Sequence, residues 1–157
     1  MNAANAALCG GGGVDGAIHR AAGPDLLAEC RLLGAARPGD VKLTQAYRLP
    51  ARFIAHAVGP VWHGGDNDED ALLASCYAKA LALADANGAA SIAFPSISTG
   101  AYRFPIERAA RIALTTVRNE LLLHPGVTRA VFCCFDLVDL RAYTKAAAAV
   151  LNDGIQG

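Results

Sequence analysis

Asn2-Ala3-Ala4-Asn5-Ala6-Ala7-Leu8-Cys9-Gly10-Gly11-Gly12-Gly13-Val14-Asp15-Gly16-Ala17-Ile18-His19-Arg20 is the stretch around which the chain is organised. Four consecutive glycines strip side chains from a loop, so backbone N–H groups can close on an anionic ligand without steric hindrance. Asp15 and the helix-compatible residues 16–20 follow at once and predict a helix N-terminus, where negative charge is favoured. Two asparagine amides lie upstream, and one carboxylate lies just past the glycines. The pattern reads as a phosphate-and-sugar site with polar chemistry built into it.

The rest of the chain bounds what that site can belong to. A length of 157 residues is that of one ordinary domain with a sizeable core. Lys+Arg and Asp+Glu both number 14, so bulk attraction to nucleic acid or membrane is not indicated. Hydrophobic residues make up 54% of the chain, yet no apolar run is long enough to span a bilayer. The start shows neither a basic segment nor an apolar one of the signal-peptide kind. Cys9, Cys30, Cys76, Cys133 and Cys134 are odd in number and lack metal-type spacing, so they are expected as buried thiols of a reducing cytoplasm.

Working outward, Gly23-Pro24 interrupts the first helix and Pro24 allows a second over 25–33. Alternation predicts a strand at 41–44, and a stronger one at 52–58 ends in Gly59-Pro60. Residues 63–68 form a loop. Steps of three and four then predict a helix over 69–87 that Asn87-Gly88 ends. A short apolar strand follows at 91–97, with a loop at 98–102. Pro105 starts a helix with Ile106, Ala110, Ala113, Val117 and Leu121 inward. The run 130–135 is continuously apolar, as expected of a strand covered on both faces. A last helix is expected over 139–151, with 152–157 as a frayed tail.

Strands alternating with helices predict an α/β layered domain with a mostly parallel sheet. Ligands in such sheets bind beyond the carboxyl ends of the strands. The glycine loop, the 98–102 loop and the strand end at Phe135-Asp136 are expected to meet there.

Commoner explanations fit poorly. Gly11-x-Gly13-x-x-Gly16 matches the dinucleotide fingerprint in form, but Asn-rich residues stand where its apolar strand belongs. No Lys-Ser/Thr follows the glycines, which excludes a Walker loop. Asp66-x-Asp68-x-Asp70 lacks the turn glycine and the bidentate Glu of a calcium loop, and it reads as solvated charge at a helix start. His63 and His124 read as surface residues, and His56 as a hydrogen-bonded core residue. His19 lies four residues after Asp15, on the same helical face. No cluster has metal-ligand spacing, so neither metal nor cofactor is expected.

The stretch 2–23 closely resembles the signature of macrodomains, particularly the MacroD-type hydrolases. Leu49-Pro50-Ala51, His56-Ala57-Val58-Gly59-Pro60 and Phe94-Pro95-Ser96-Ile97-Ser98-Thr99-Gly100-Ala101-Tyr102 match the same family in the same order. The resemblance covers essentially the whole chain and is nearest to bacterial O-acetyl-ADP-ribose deacetylases. It implies a three-layer α/β/α fold with a mixed, mostly parallel sheet, and a single domain over 1–151. It also implies binding of ADP-ribose and hydrolysis of esters on its distal ribose, either the acetyl ester or a mono-ADP-ribosyl link to a protein carboxylate.

The resemblance assigns roles residue by residue. Asn5 would hold the distal ribose, and Asp15 would orient or deprotonate the attacking water. Gly12, Gly13, Val14 and Gly16 would close on ribose and pyrophosphate, and His19 would lie near the site. Ser98, Thr99, Gly100, Ala101 and Tyr102 would form the second phosphate loop, with Phe135 near the adenine. Family accounts differ on whether the aspartate or the substrate's own pyrophosphate activates water. Implied partners are ADP-ribosylated proteins, with no membrane and no direct nucleic-acid contact. A non-catalytic ADP-ribose reader and an ADP-ribose-phosphate phosphatase are the alternatives on the same site.

One departure stands at the start. The family carries a Gly-Asp-Ile-Thr motif and an apolar strand before the asparagines, where Met1 stands here. The expectation is an internal start that omits on the order of twenty residues and leaves strand neighbours unpaired. Mass spectrometry of the native protein tests it.

Overall fold

The elements follow in the order β1 (Asn2–Ala4), α1 (Gly13–Ala22), α2 (Pro24–Leu33), β2 (Val41–Gln45), β3 (Phe53–Val58), α3 (Glu69–Ala86), β4 (Ser91–Pro95), α4 (Ile106–Leu123), β5 (Arg129–Cys133) and α5 (Leu137–Asp153), with strand and helix alternating from β3 onward. The computed structural model describes residues 1–153. Gly23 at φ 86° breaks α1 from α2, and its N–H caps His19 O at 3.1 Å, a conformation that glycine adopts without strain. Pro24 then occupies the first turn of α2, where no N–H is needed.

β3 is the centre of one ladder, in the order β1-β3-β2. It runs parallel to β1, with Asn2 opposite His56 and Ala4 opposite Val58, and antiparallel to β2, with Thr44 opposite Ile54. β4 and β5 form a second, parallel pair, with Pro95 opposite Cys133. The amino group of Met1 donates to Ala93 O at 2.7 Å and brings β4 alongside β1. The sheet is therefore mixed and mostly parallel. β1 pairs with residues 56–58 of β3, and residues 53–55 have no ladder partner on that side among the described residues.

Strand alternation sends successive side chains to opposite faces. Ala4, Ile54 and Val58 meet Leu26 and Cys30 of α2 and Ala22 of α1 on one face. Ala55 and Ala57 meet the larger core of α3, α4 and α5 on the other. There Ala80 faces a helix rich in small residues (Ala109, Ala110 and Ala113), all buried. Tyr77, Phe94, Phe132 and Tyr143 form an aromatic row with successive ring centroids 5.4–5.6 Å apart.

Several boundaries differ from the sequence reading. β4 stops at Pro95, because Ser98 takes a left-handed φ of 65° and turns the chain away. α5 begins at Leu137 and continues to Asp153, two residues into the expected tail, whose remainder lies outside the described residues. β5 is not covered on both faces. Ala130 and Phe132 pack inward, while Arg129, Val131 and Cys133 are exposed, because α1 and α2 cover only the other ladder. His124 is not a free surface residue: its Nδ1 lies 3.1 Å from Asp85 and its Nε2 3.5 Å from Glu120.

Candidate active site

β1 and β3 run parallel, so Asn5 and Gly59 leave the sheet at the same end. Gly59 packs directly on Ser98 and Ile97, and a methyl group on it would overlap both. Trp62 N–H donates to Tyr102 O at 2.8 Å, which fastens the chain after β3 to the loop after β4. The loops beyond β1, β3 and β4 thus converge at the carboxyl ends of the strands, as such sheets require.

The glycine loop is shaped from inside. Asn5 Nδ2 donates to Gly10 O at 2.8 Å, and its Oδ1 accepts from Cys9 N–H at 3.4 Å, so the amide staples the ends of the loop together. Gly12 caps α1 with no side chain, and Gly13 begins the helix at φ 57°. Residues 11–14 are exposed, and the first-turn N–H groups of α1 have no acceptor further back in the helix. Gly16 lies beneath the Gly11 carbonyl so closely that any Cβ there would overlap it.

Asp15 is buried at 5% exposure and lies in that same first turn of α1, two residues after Gly13. Its Oδ1 accepts from Asn2 Nδ2 at 2.8 Å and lies 3.4 Å from His19 Nε2. Its Oδ2 lies on the Gly11 side, 3.4 Å from where a Cβ of that glycine would stand, and Asn5 Nδ2 lies 3.6 Å from the same point. Asn5 and Asp15 therefore flank one small space at Gly11. The His19 ring packs under Gly10 at 3.6 Å from its Cβ position.

Asn2 is wholly buried and also reaches His56 Nδ1 at 3.1 Å. His56 Nε2 lies 2.8 Å from Thr44 Oγ1. Burial pushes the imidazole down from 6.5 to about 4, with His19 and the chain's amino terminus adding to the effect, so it is neutral near pH 7. Burial raises the Cys30 thiol, which lies 3.9 Å from His56 Nε2.

The second loop is closed on itself. Phe104 N–H donates to Ser98 O at 2.9 Å and Arg103 N–H to Gly100 O at 3.0 Å. Thr99 Oγ1 and Tyr143 OH both bond to Ser96 Oγ, at 2.9 and 3.2 Å. Ser98 is 8% exposed and its hydroxyl has no hydrogen-bond partner among the described residues. Gly100 and Ala101 are exposed and Tyr102 is half-buried beside them. Phe135 leaves β5 at the same end of the sheet and stands 85% exposed.

The sequence reading thus finds Asn5, Asp15, His19 and the glycines in one cluster, and Ser98 to Tyr102 in a loop tied to Gly59. It gave no role to Asn2 or Thr44 and treated His56 as core alone. The signal for these three is buried polar side chains facing one another from three strands, a pairing that no spacing within one segment displays.

The family profile described as Macro domain matches residues 1–113. A macro domain-containing protein of Chlorobaculum tepidum, CT2219, is 58% identical over 95% of this chain and 87% of its own length. The O-acetyl-ADP-ribose deacetylase of Cronobacter sakazakii is 49% identical over 92% of this chain and 83% of its own. Human ADP-ribose glycohydrolase MACROD2 is 52% identical over 92% of this chain but only 35% of its own length. Among solved structures, a glycine-to-valine mutant of the Oceanobacillus iheyensis macrodomain with ADPR superposes with a TM-score of 0.90 at 41% identity, covering 96% of this chain and 84% of that one. The chain belongs to the macro domain family and has the macrodomain fold.

Proposed function

We propose that this macrodomain binds ADP-ribose and hydrolyses esters on its distal ribose, releasing acetate from O-acetyl-ADP-ribose or mono-ADP-ribose from protein carboxylates. The observation that carries the reading is the buried Asp15 carboxylate, held by Asn2 and His19, with its free side turned to Gly11 beneath the exposed N-terminus of α1. The similarity to proteins named as a deacetylase and a glycohydrolase supports it.

In this reading the N–H groups of Gly13 and Val14 receive the pyrophosphate, together with the 98–102 loop, since aligned backbone donors suit an anion there. Asn5 marks the distal ribose, and Phe135 is free to stack on the adenine. A water beside Asp15 attacks the ester carbonyl. Asp15 accepts its proton as the oxygen–carbon bond forms, and the proton passes to the ribose oxygen as the ester bond breaks. The fixed donors around the site stabilise charge that develops on the way. A reader module needs the donors but not a buried carboxylate beside them. Cys30 and Cys76 are buried as expected, but Cys9 and Cys133 are exposed and Cys134 is half-buried, so burial does not protect all five thiols. A reducing, cytoplasmic setting remains part of this reading.

The test compares wild type with Asp15→Asn on a protein carrying Glu-linked mono-ADP-ribose. Wild type releases ADP-ribose, and the variant binds ADP-ribose but loses release by about a hundredfold or more. Wild type that binds ADP-ribose and releases nothing above background would falsify the hydrolase reading.

A further inference from the structure

Thr44, His56 and Asn2 form a buried polar line that touches the proposed chemistry only where Asn2 meets Asp15. Thr44 and His56 are 2% and 0% exposed, on β2 and β3, in a face otherwise filled by Ile54, Val58, Leu26 and Cys30. Nothing in packing requires polar groups there, and burying them is unfavourable unless each finds a partner.

Donor and acceptor balance along the line has one solution. Asp15 as a carboxylate only accepts, so Asn2 must face it with Nδ2, at 2.8 Å. The same Nδ2 lies 3.1 Å from His56 Nδ1 and gives its second hydrogen there. His56 Nδ1 is then the bare, accepting nitrogen, and the single proton of the neutral ring is on Nε2. That nitrogen donates to Thr44 Oγ1 at 2.8 Å, and Thr44 passes its own hydrogen to Gln45 O at 3.0 Å. The inverse arrangement fails at the far end. With the amide turned over and the ring proton on Nδ1, Asn2 would set a carbonyl oxygen against the Asp15 carboxylate. The chosen orientation has a visible cost: Asn2 Oδ1 is buried without a hydrogen-bond partner among the described residues. An amide that leaves its own oxygen orphaned is being held by what its nitrogen does.

We propose that His56, fixed in its Nε2–H tautomer by Thr44, is a positioning residue that anchors one hydrogen of Asn2 so that the other holds Asp15 toward Gly11. Its consequence for turnover rests on the hydrolase reading. The line runs from the edge strand of its ladder to the helix that carries the site, so the aspartate's direction is set through the sheet and not by α1 alone. His19 contacts Asp15 from within α1 and secures it along the helix, and Asn2 secures it from below.

Thr44→Val keeps the side-chain shape and removes the acceptor of the His56 proton, whereas Thr44→Ser keeps the hydroxyl. The expected result is a kcat roughly tenfold lower in Thr44→Val, because a misdirected base loses orientation. KM and the ADP-ribose Kd stay within about twofold, and Thr44→Ser recovers most of the rate. Nitrogen-15 NMR of the wild-type imidazole reads the tautomer directly and is expected to show Nε2–H. An unchanged kcat in Thr44→Val overturns the proposal. So does a parallel loss of kcat and ADP-ribose affinity, a Thr44→Ser variant no better than Thr44→Val, or an Nδ1–H tautomer in the wild type. If wild type binds ADP-ribose without releasing it, the hydrolase reading fails and the tautomer still decides the relay.

Discussion

Gly16 and Gly12 differ by four positions and by everything in their surroundings. Gly16 supports the Gly11 carbonyl, and a Cβ there would overlap it, whereas a Cβ on Gly12 meets nothing within 4 Å. Overpacking against backbone is hard to relieve, because no rotamer can move away. Gly16→Ala is expected to lower stability by about 1–3 kcal/mol in urea unfolding and to weaken ADP-ribose binding, since the glycine loop must shift. Gly12→Ala is expected to stay within about 0.5 kcal/mol of wild type. Equal stability of the two would sink this account of the loop. Both glycines are legible in the sequence as part of a phosphate loop, but their inequality is not, because it depends on how the loop folds back over the helix. Asn5, Asp15 and His19 are legible for a related reason: they are near one another in the chain, and helical spacing brings them together. Asn2 and Asp15 share the same stretch, yet their contact is invisible without the β1–α1 packing, and His56 and Thr44 join through strand register alone.

Glu69 shows the same contrast in the setting of a whole element. The sequence marks it as the start of α3, next to charges that read as solvent-exposed. In the fold it is 1% exposed, and its carboxylate accepts from the N–H groups of His63 at 2.8 Å, Gly65 at 3.2 Å and Asn67 at 2.8 Å. Burial, the largest single influence, pushes its pKa up, but these backbone donors together outweigh it and hold the group at about 2, below 4.5. Because the folded value is depressed, the carboxylate's contribution is fully present above pH 4.5 and is lost as pH falls toward 2. Glu69→Gln removes the charge and presents hydrogens to N–H groups that need an acceptor. The expected outcome is a Tm lowered by several degrees at pH 7, with a gap from wild type that narrows below pH 4. Differential scanning calorimetry across that range checks it, and a pH-independent gap would assign the loss to something other than the carboxylate. The neighbouring Asp70 makes a forked pair with Arg108, with bonds of 2.8, 3.1 and 2.7 Å, but both partners are about half exposed, so little depends on it.

Across the whole molecule, helices on both faces enclose β1, β3 and β2, whereas β4 and β5 are backed by helices on one face only. An apolar run such as 130–135 cannot reveal this, since burial on one face or two depends on which helices reach the strand. β5 pairs only with β4 among the described residues, so its outer edge carries unpaired backbone groups beside an exposed Val131. Such an edge is a template for pairing with another chain, and charge placed on it is the usual protection. Val131 is 36% exposed and outside both apolar cores, so Val131→Lys removes little packing and adds a charge to the open face. The expected outcome is less light scattering on concentration or heating, a Tm within about two degrees of wild type, and unchanged ADP-ribose affinity. The affinity is expected to hold because Val131 sits in mid-strand, two residues before the carboxyl end where the loops converge. A large drop in Tm would mean instead that Val131 packs against something, and equal scattering by both proteins would remove the β5 edge as the source of association.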